Sequence, residues 1–231
     1  MTVAAVVLAA SAESALADAD GLPRVRRIAD TAWAGGALPI VVVAPDPDGR
    51  VAAALAGAQV TLAEPGPPEA GPVGQIRRGI DVAAAEVRET TAALIWPACL
   101  CWVGAETVTS LIEAHGAEPR SLLRPSFGGE AGWPAVLPMA YRESLRELPA
   151  DLMPDEILAA FAARHAPPQR LVELGDPGTV IDGGTARSAL PPYEGPAVAL
   201  SGHAHEWGAA VADIPDDAPA PGPSIARFDP T

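Results

Sequence analysis

The chain has 231 residues, 49% of them apolar and only 4% aromatic, with 15 basic against 29 acidic side chains and a formal net charge of −14. That length suits one α/β domain with an appendage, and the field repels nucleic acid and anionic membrane. Two cysteines two residues apart, Cys99 and Cys101, are no disulfide framework, and no stretch reaches the ~18 apolar residues of a membrane span. Cytoplasmic thiols and a cytoplasmic location are therefore expected, with no nucleic-acid or membrane partner.

The chain opens on Val3 to Leu8, a run of small and β-branched apolar residues that predicts a buried parallel strand. Such a strand delivers its carboxyl end to a ligand site, so Ala12 to Gly21 is expected to be a phosphate-handling loop. That loop carries Glu13, Asp18 and Asp20 and no cation before Arg24. Pro23 to Ala34 reads as a helix with Val25, Ile28, Ala29, Ala32 and Trp33 on one face, stopped by Gly35-Gly36. Pro39 to Ala44 is a second strand, Arg50 to Ala56 a short helix and Gln59 to Ala63 a third strand. This spacing means βαβ units and a mostly parallel sheet.

After a Pro/Gly loop over Glu64 to Pro72, Val73 to Arg88 reads as a helix and Ala92 to Trp96 as the fourth strand. A helix from about Ala105 to His115 precedes Leu122 to Arg124, a turn, and Trp133 to Leu137, which together predict an antiparallel hairpin insertion. Helices over Arg142 to Leu148 and Pro154 to His165 lead to a last core strand, Arg170 to Leu174. From about Leu190 the composition turns to Pro, Ala and acidic residues without periodicity, giving a domain over 1–189 and an extended tail over 190–231.

Four stretches carry a family resemblance. Leu8-Ala9-Ala10 matches the start of a loop of the form L-A-A-G-x-S-x-R-M-G, and Gly74 to Ile80, with Gln75, resembles a helix start S-L-x-x-G-L. Pro97 with Thr107-Val108 and Leu111-Ile112 resembles D-x-P and its following helix. Arg124 to Leu137 resembles R-P-x-y-x-G-x-x-G-H-P-v-l-l and is the most specific of the four. Together they resemble the MobA-like NTP transferases, in particular molybdenum-cofactor cytidylyl- and guanylyltransferases, across roughly residues 1–188. The resemblance implies a Rossmann-like three-layer nucleotidyltransferase fold. By family position it places Leu8, Ala9, Ala10, Ser11 and Gln75 at a nucleotide.

At each match the reactive side chain differs. The loop Gly falls on Ser11, its Ser on Glu13, its Arg on Ala15, its last Gly on Ala17, and its Lys at or near Asp20. A triphosphate carries about four negative charges, and a like charge within ~4 Å costs on the order of 1–4 kcal/mol at effective dielectrics of 80 to 20. The magnesium-binding Asp of D-x-P falls on Ile95, with Trp96 between it and Pro97. A second carboxylate pattern falls on Asp182 to Ser188, where Asp182 alone stands as a metal ligand and Gly184 replaces its partner. The family histidine falls on Trp133.

Two functions follow. One is a catalytically silent relative acting as a binding or assembly module, with a protein partner or a second copy held through the tail, and with Trp96 and Trp133 filling the vacated pocket. The other is a magnesium-dependent nucleotidyltransferase using CTP or GTP on a phosphorylated acceptor such as molybdopterin. No catalytic residue and no cofactor is assigned under the first. His203-Ala-His205-Glu206 reads as a solvated tail segment rather than a metal site, Arg77-Arg78 as a surface pair, and Cys99 and Cys101 as inert thiols. Trp96, Trp102 and Trp133 as a set read as filling side chains, or alternatively as a stacking platform for a planar ligand.

Overall fold

A computed structural model describes residues 2–195. The tail assigned to 190–231 lies almost wholly outside the described residues, as does the His203 to Glu206 segment. The uniform apolar run at the N-terminus forms β1 (Thr2–Leu8), whose Val3 to Val7 are all buried. On one side β1 pairs in parallel with β4 (Ile40–Val43), which in turn pairs with β5 (Thr61–Ala63). On the other side it pairs in parallel with β6 (Thr90–Pro97).

Beyond β6 the sheet continues through β9 (Ala135–Pro138), β7 (Leu122–Phe127) and β10 (Gln169–Glu173), in the order β10-β7-β9-β6-β1-β4-β5. Only β9 and the two-residue β8 (Glu130–Ala131) run antiparallel to their neighbours in this sheet. The hairpin insertion is thus present, with Gly128 and Gly129 at positive φ in its tip. The α4 helix (Gly71–Glu86) lies on β1 and β4, while α2 (Arg24–Ala34) and α5 (Ala105–Ala117) pack on each other and on the sheet. This is a three-layer, Rossmann-like α/β fold.

Four local readings are corrected. Residues 12–21 are not an open loop. Ser11 accepts a hydrogen bond from Ser14 N at 3.1 Å and so caps a one-turn helix, α1 (Ala12–Leu16). A two-stranded ribbon follows, β2 (Asp18–Ala19) with β3 (Leu22–Pro23), turning at Asp20 and Gly21. Trp33 is not on the buried face of α2 but 52% exposed, because the stripe of Val25, Ile28, Ala29 and Ala32 already covers the sheet.

Residues 139–147 form two 3-10 turns in place of an α-helix, and α6 (Pro154–His165) follows as expected. The β10 strand is a sheet edge rather than a core strand, paired only with β7, and its Leu171 is 51% exposed. Two shorter elements, α3 (Arg50–Ala54) and β5, lose a residue or two at their ends relative to the expected spans.

His115 on α5 is buried, with Nε2 3.2 Å from Thr91 Oγ1 and Nδ1 unpartnered among the described residues. Burial lowers its pKa below the ordinary 6.5. The unfolded chain then takes up a proton near pH 6.5 that the folded chain resists. Stability is full above about pH 6.5 and falls as pH drops toward the folded pKa, by at most about 1.4 kcal/mol per pH unit. His115→Leu should flatten this slope, and urea unfolding of both proteins at pH 7.5 and 5.5 checks it. Equal acid losses in the two proteins would refute the assignment.

Candidate functional site at the carboxyl end of β1

Leu8 ends β1 opposite Val43 of β4 and Pro97 of β6, so three parallel strands finish side by side. The connections that leave β1 toward β4 and arrive at β6 lie on opposite sides, and a crevice opens where they part. A cavity of about 290 Å³ occupies it. Its floor is Leu8, Ala9 and Ala10, with Val43 on one side and Pro97, Ala98 and Cys99 on the other. Ser14 of α1, Pro72 and Gln75 of α4, and Met153 and Pro154 at the start of α6 complete the wall.

Among the described residues the lining contains no charged side chain. Gln75 is committed at both ends, Oε1 accepting from Gly66 N at 2.9 Å and Nε2 donating to Gly66 O at 3.3 Å, which ties the Pro/Gly loop to α4. The Cys99 thiol is pushed up in pKa by burial and then by the negative charge of Asp182, so it stays protonated at neutral pH. Glu13, in the first turn of α1, is held below the ordinary carboxylate range by a hydrogen bond to its own backbone N–H and by Ser11. An anion therefore stands where the family motif places its hydroxyl, on the helix that leads away from the cavity floor.

Of the residues singled out in the sequence, Leu8, Ala9, Ala10 and Gln75 line this cavity, whereas Ser11 is spent as the α1 cap. Trp96 is fully buried in β6 and its Nε1 donates to Leu100 O at 2.7 Å. Trp133 is buried under the Arg124 guanidinium, 4.9 Å from its ring centre. Neither tryptophan lines the cavity. Arg78 donates to Glu64 O at 3.3 Å, and neither it nor Arg77 reaches the lining.

The remaining tryptophan of the set, Trp102, donates from Nε1 to Thr185 O at 3.0 Å. Arg27 sits 5.2 Å above its ring. It borders a separate, wider cleft of about 570 Å³ with Asp18, Asp20 and the 183–188 segment. The sequence pattern pointed to neither Cys99 nor Met153 as site residues. Cys99 lies two residues past the strand-ending Pro97, which is a signal that was available. Met153 and Pro154 arrive from far along the chain, and nothing local marks them.

The stretch with the most specific motif has a structural job. Arg124 donates from Nε to Gly132 O at 2.9 Å and from Nη2 to Ala131 O at 3.2 Å and Asp155 Oδ1 at 2.9 Å, pinning the hairpin to the start of α6.

A magnesium ion does not fit the residues present. Ile95 and Trp96 are buried apolar side chains at the strand position that would supply its carboxylate. Asp182 is exposed and uses Oδ1 to accept from Gly184 N at 2.7 Å. Among the described residues no group of three or more His, Cys, Asp or Glu side chains is placed to hold a metal.

The sheet order and the crevice at the end of β1 define the chain as a Rossmann-like α/β protein with a ligand-type crevice at a topological switch point. The MobA-like NTP transferase domain matches residues 9–167, and the chain belongs to that family. Rv0371c from Mycobacterium tuberculosis H37Rv, solved in complex with manganese, is similar with a TM-score of 0.57 at 18% identity, covering 75% of this chain and 89% of that one. A 4-diphosphocytidyl-2C-methyl-D-erythritol synthase reaches 0.58 at 16% identity over 78% and 91%. CMP:2-keto-3-deoxy-manno-octonic acid synthetase, solved with CTP, reaches 0.56 at 13% identity over 75% and 90%. At these identities the likeness is one of fold. No curated protein matches the chain by sequence. Among the described residues no helix is long and apolar enough to cross a membrane.

Proposed function

We propose that this protein is a nucleotidyltransferase-fold member without phosphoryl-transfer chemistry, acting in the cytoplasm as a binding or assembly module. The observation that carries the reading is the lining of the crevice at the end of β1. Among the described residues it holds no cation for a triphosphate, Ile95 offers no oxygen donor, and Asp182 Oδ1 is engaged by Gly184 N. A nucleoside triphosphate entering it would lose hydration without gaining counter-charge. Assembly with a protein partner or a second copy through residues 190–231 is part of the same reading. Co-purification with the full chain and with a chain ending at residue 189 tests that part, and identical partners in both would discount the tail.

A second reading, a magnesium-dependent transferase using CTP or GTP on a phosphorylated acceptor such as molybdopterin, is favoured by one observation. The crevice is open, not plugged by Trp96 or Trp133. Under that reading the cations come from a partner or from elsewhere in the chain. Thermal unfolding with each NTP, with and without magnesium, separates the two. A flat response to every nucleotide is expected. A nucleotide bound at 100 times its Kd would add about 2.7 kcal/mol of stability, enough to raise the midpoint by several degrees. Such a rise, dependent on magnesium, would overturn the silent reading.

A further inference from the structure

We infer that the cavity at the end of β1 holds a neutral, flat ring compound that carries no phosphate. The inference rests on the reading of the chain as a member without phosphoryl chemistry, and it names the ligand class of that same crevice. Leu8, Val43, Pro97 and Ala98 contribute apolar side chains, and the Gln75 amide uses one N–H and one lone pair on Gly66, which fixes its orientation in the wall. An ionised group placed against that lining would give up its water without meeting a counter-charge, whereas a ring removes apolar surface from water on both of its faces. The charged groups that act most on Cys99, in the cavity wall, are two carboxylates, Asp182 and Asp155, and one guanidinium, Arg24. The chain's net charge of −14 likewise gives no long-range attraction for an anion approaching from solution.

Size points the same way. About 290 Å³ lies at the lower end of ligand cavities, which begin near ~300 Å³, and suits a one- or two-ring compound better than a nucleoside triphosphate. Met153 stands at the rim with 61% of its surface exposed, an unbranched thioether free to fold onto the face of a bound ring. Ser14 is the one hydroxyl in the wall, and it gives a ring carbonyl or ring nitrogen a single point of orientation.

Cys99 lines the cavity and is partly exposed, while Cys101 is buried, so Cys99 reports on occupancy. The test is the rate of Cys99 alkylation by iodoacetamide in the full-length Cys101→Ala chain at alkaline pH, with indole as the neutral probe and CTP with magnesium as the charged one. Indole at about five times its Kd should slow the reaction about sixfold, since the free fraction falls as 1/(1 + [L]/Kd). Ala98→Phe fills the cavity and should abolish the protection. Met153→Ala, at an exposed rim position that does not threaten folding, should raise the indole concentration needed by a few-fold.

Protection by indole alone, reduced in Met153→Ala, supports the inference. No protection by indole up to its solubility in the folded chain overturns it and leaves the loss of phosphoryl chemistry standing. Protection by CTP with magnesium, with or without indole protection, overturns both.

Discussion

Asp176→Ala is expected to destabilise the fold by about 3–5 kcal/mol, the largest effect of any single side-chain truncation outside the apolar core. Asp176 is 4% exposed and its two oxygens take three donors. Oδ2 accepts from Gly104 N at 2.9 Å and Thr107 Oγ1 at 2.6 Å, and Oδ1 accepts from Gly178 N at 2.9 Å. The carboxylate thereby holds the segment after β10 against the amino end of α5, where the helix's unsatisfied N–H groups favour negative charge. Gly178 lies so close to the backbone of Trp102 that a Cβ there would overlap it, so the segment has no alternative seat.

Truncation strands all three donors, each worth about 1–3 kcal/mol when buried and unpaired. Asp176→Asn keeps the shape but offers an NH₂ to donors, and should recover less than half of the loss. Urea unfolding midpoints of the two variants check this. A loss under about 1 kcal/mol in Asp176→Ala would mean that water replaces the carboxylate and that the clamp is not structural.

The second large effect is at Gly79, on the face of α4 that lies on β1. A Cβ built there overlaps Val6 Cγ1 and stands 3.1 Å from Val43 Cγ2. Two terms oppose each other. Alanine gains about 1 kcal/mol in helix propensity over glycine, while overpacking a buried contact costs about 1–3 kcal/mol. The clash is with a β-branched side chain on a central strand that is buried on every side, so it does not relax by turning outward. Overpacking wins, and Gly79→Ala should lose up to about 2 kcal/mol, with Gly79→Leu unfolding the protein at ambient temperature.

The cycle with Val6→Ala separates the causes. Removing Cγ1 leaves Val6 Cβ at 3.4 Å from the new methyl, ordinary contact, so the double variant should be more stable than the sum of the single losses predicts. Strict additivity would show that Gly79 is required for some reason other than close approach of α4 to β1.

Gly79 also shows how far the sequence could be read. Its match to a family helix start was visible in the pattern Gly74 to Ile80. The reason for it, a helix whose Gly79 lies directly on Val6 of the first strand, was not. Arg124 behaves alike: the motif was legible, yet its side chain serves hairpin carbonyls and the Trp133 ring. The misreadings have a common cause. The composition of residues 12–21 shows their charge but not that Ser11 can cap a turn of helix. The hydrophobicity of Trp33 and Leu171 suggests buried surface but does not reveal that the neighbouring stripe is already complete or that β10 is an edge.

The run Val3 to Leu8 and its successors, Ile40 to Val43 and Ala92 to Trp96, by themselves determined a parallel α/β sheet. Each is a continuous apolar strand that is tolerable only when covered on both faces. The sequence likewise determined the sign of the charged residues after β1, because Glu13, Asp18 and Asp20 are acidic and no Lys or Arg precedes Arg24. What the tertiary structure alone decided is the composition of the crevice. Met153 and Pro154 share a cavity with Leu8 only because the start of α6 returns to the end of β1, and Trp96 and Trp133 are drawn away from it into contacts of their own. Secondary structure is set by residues within a turn or two of one another, whereas a cavity is set by where long crossovers return, and no local period records that.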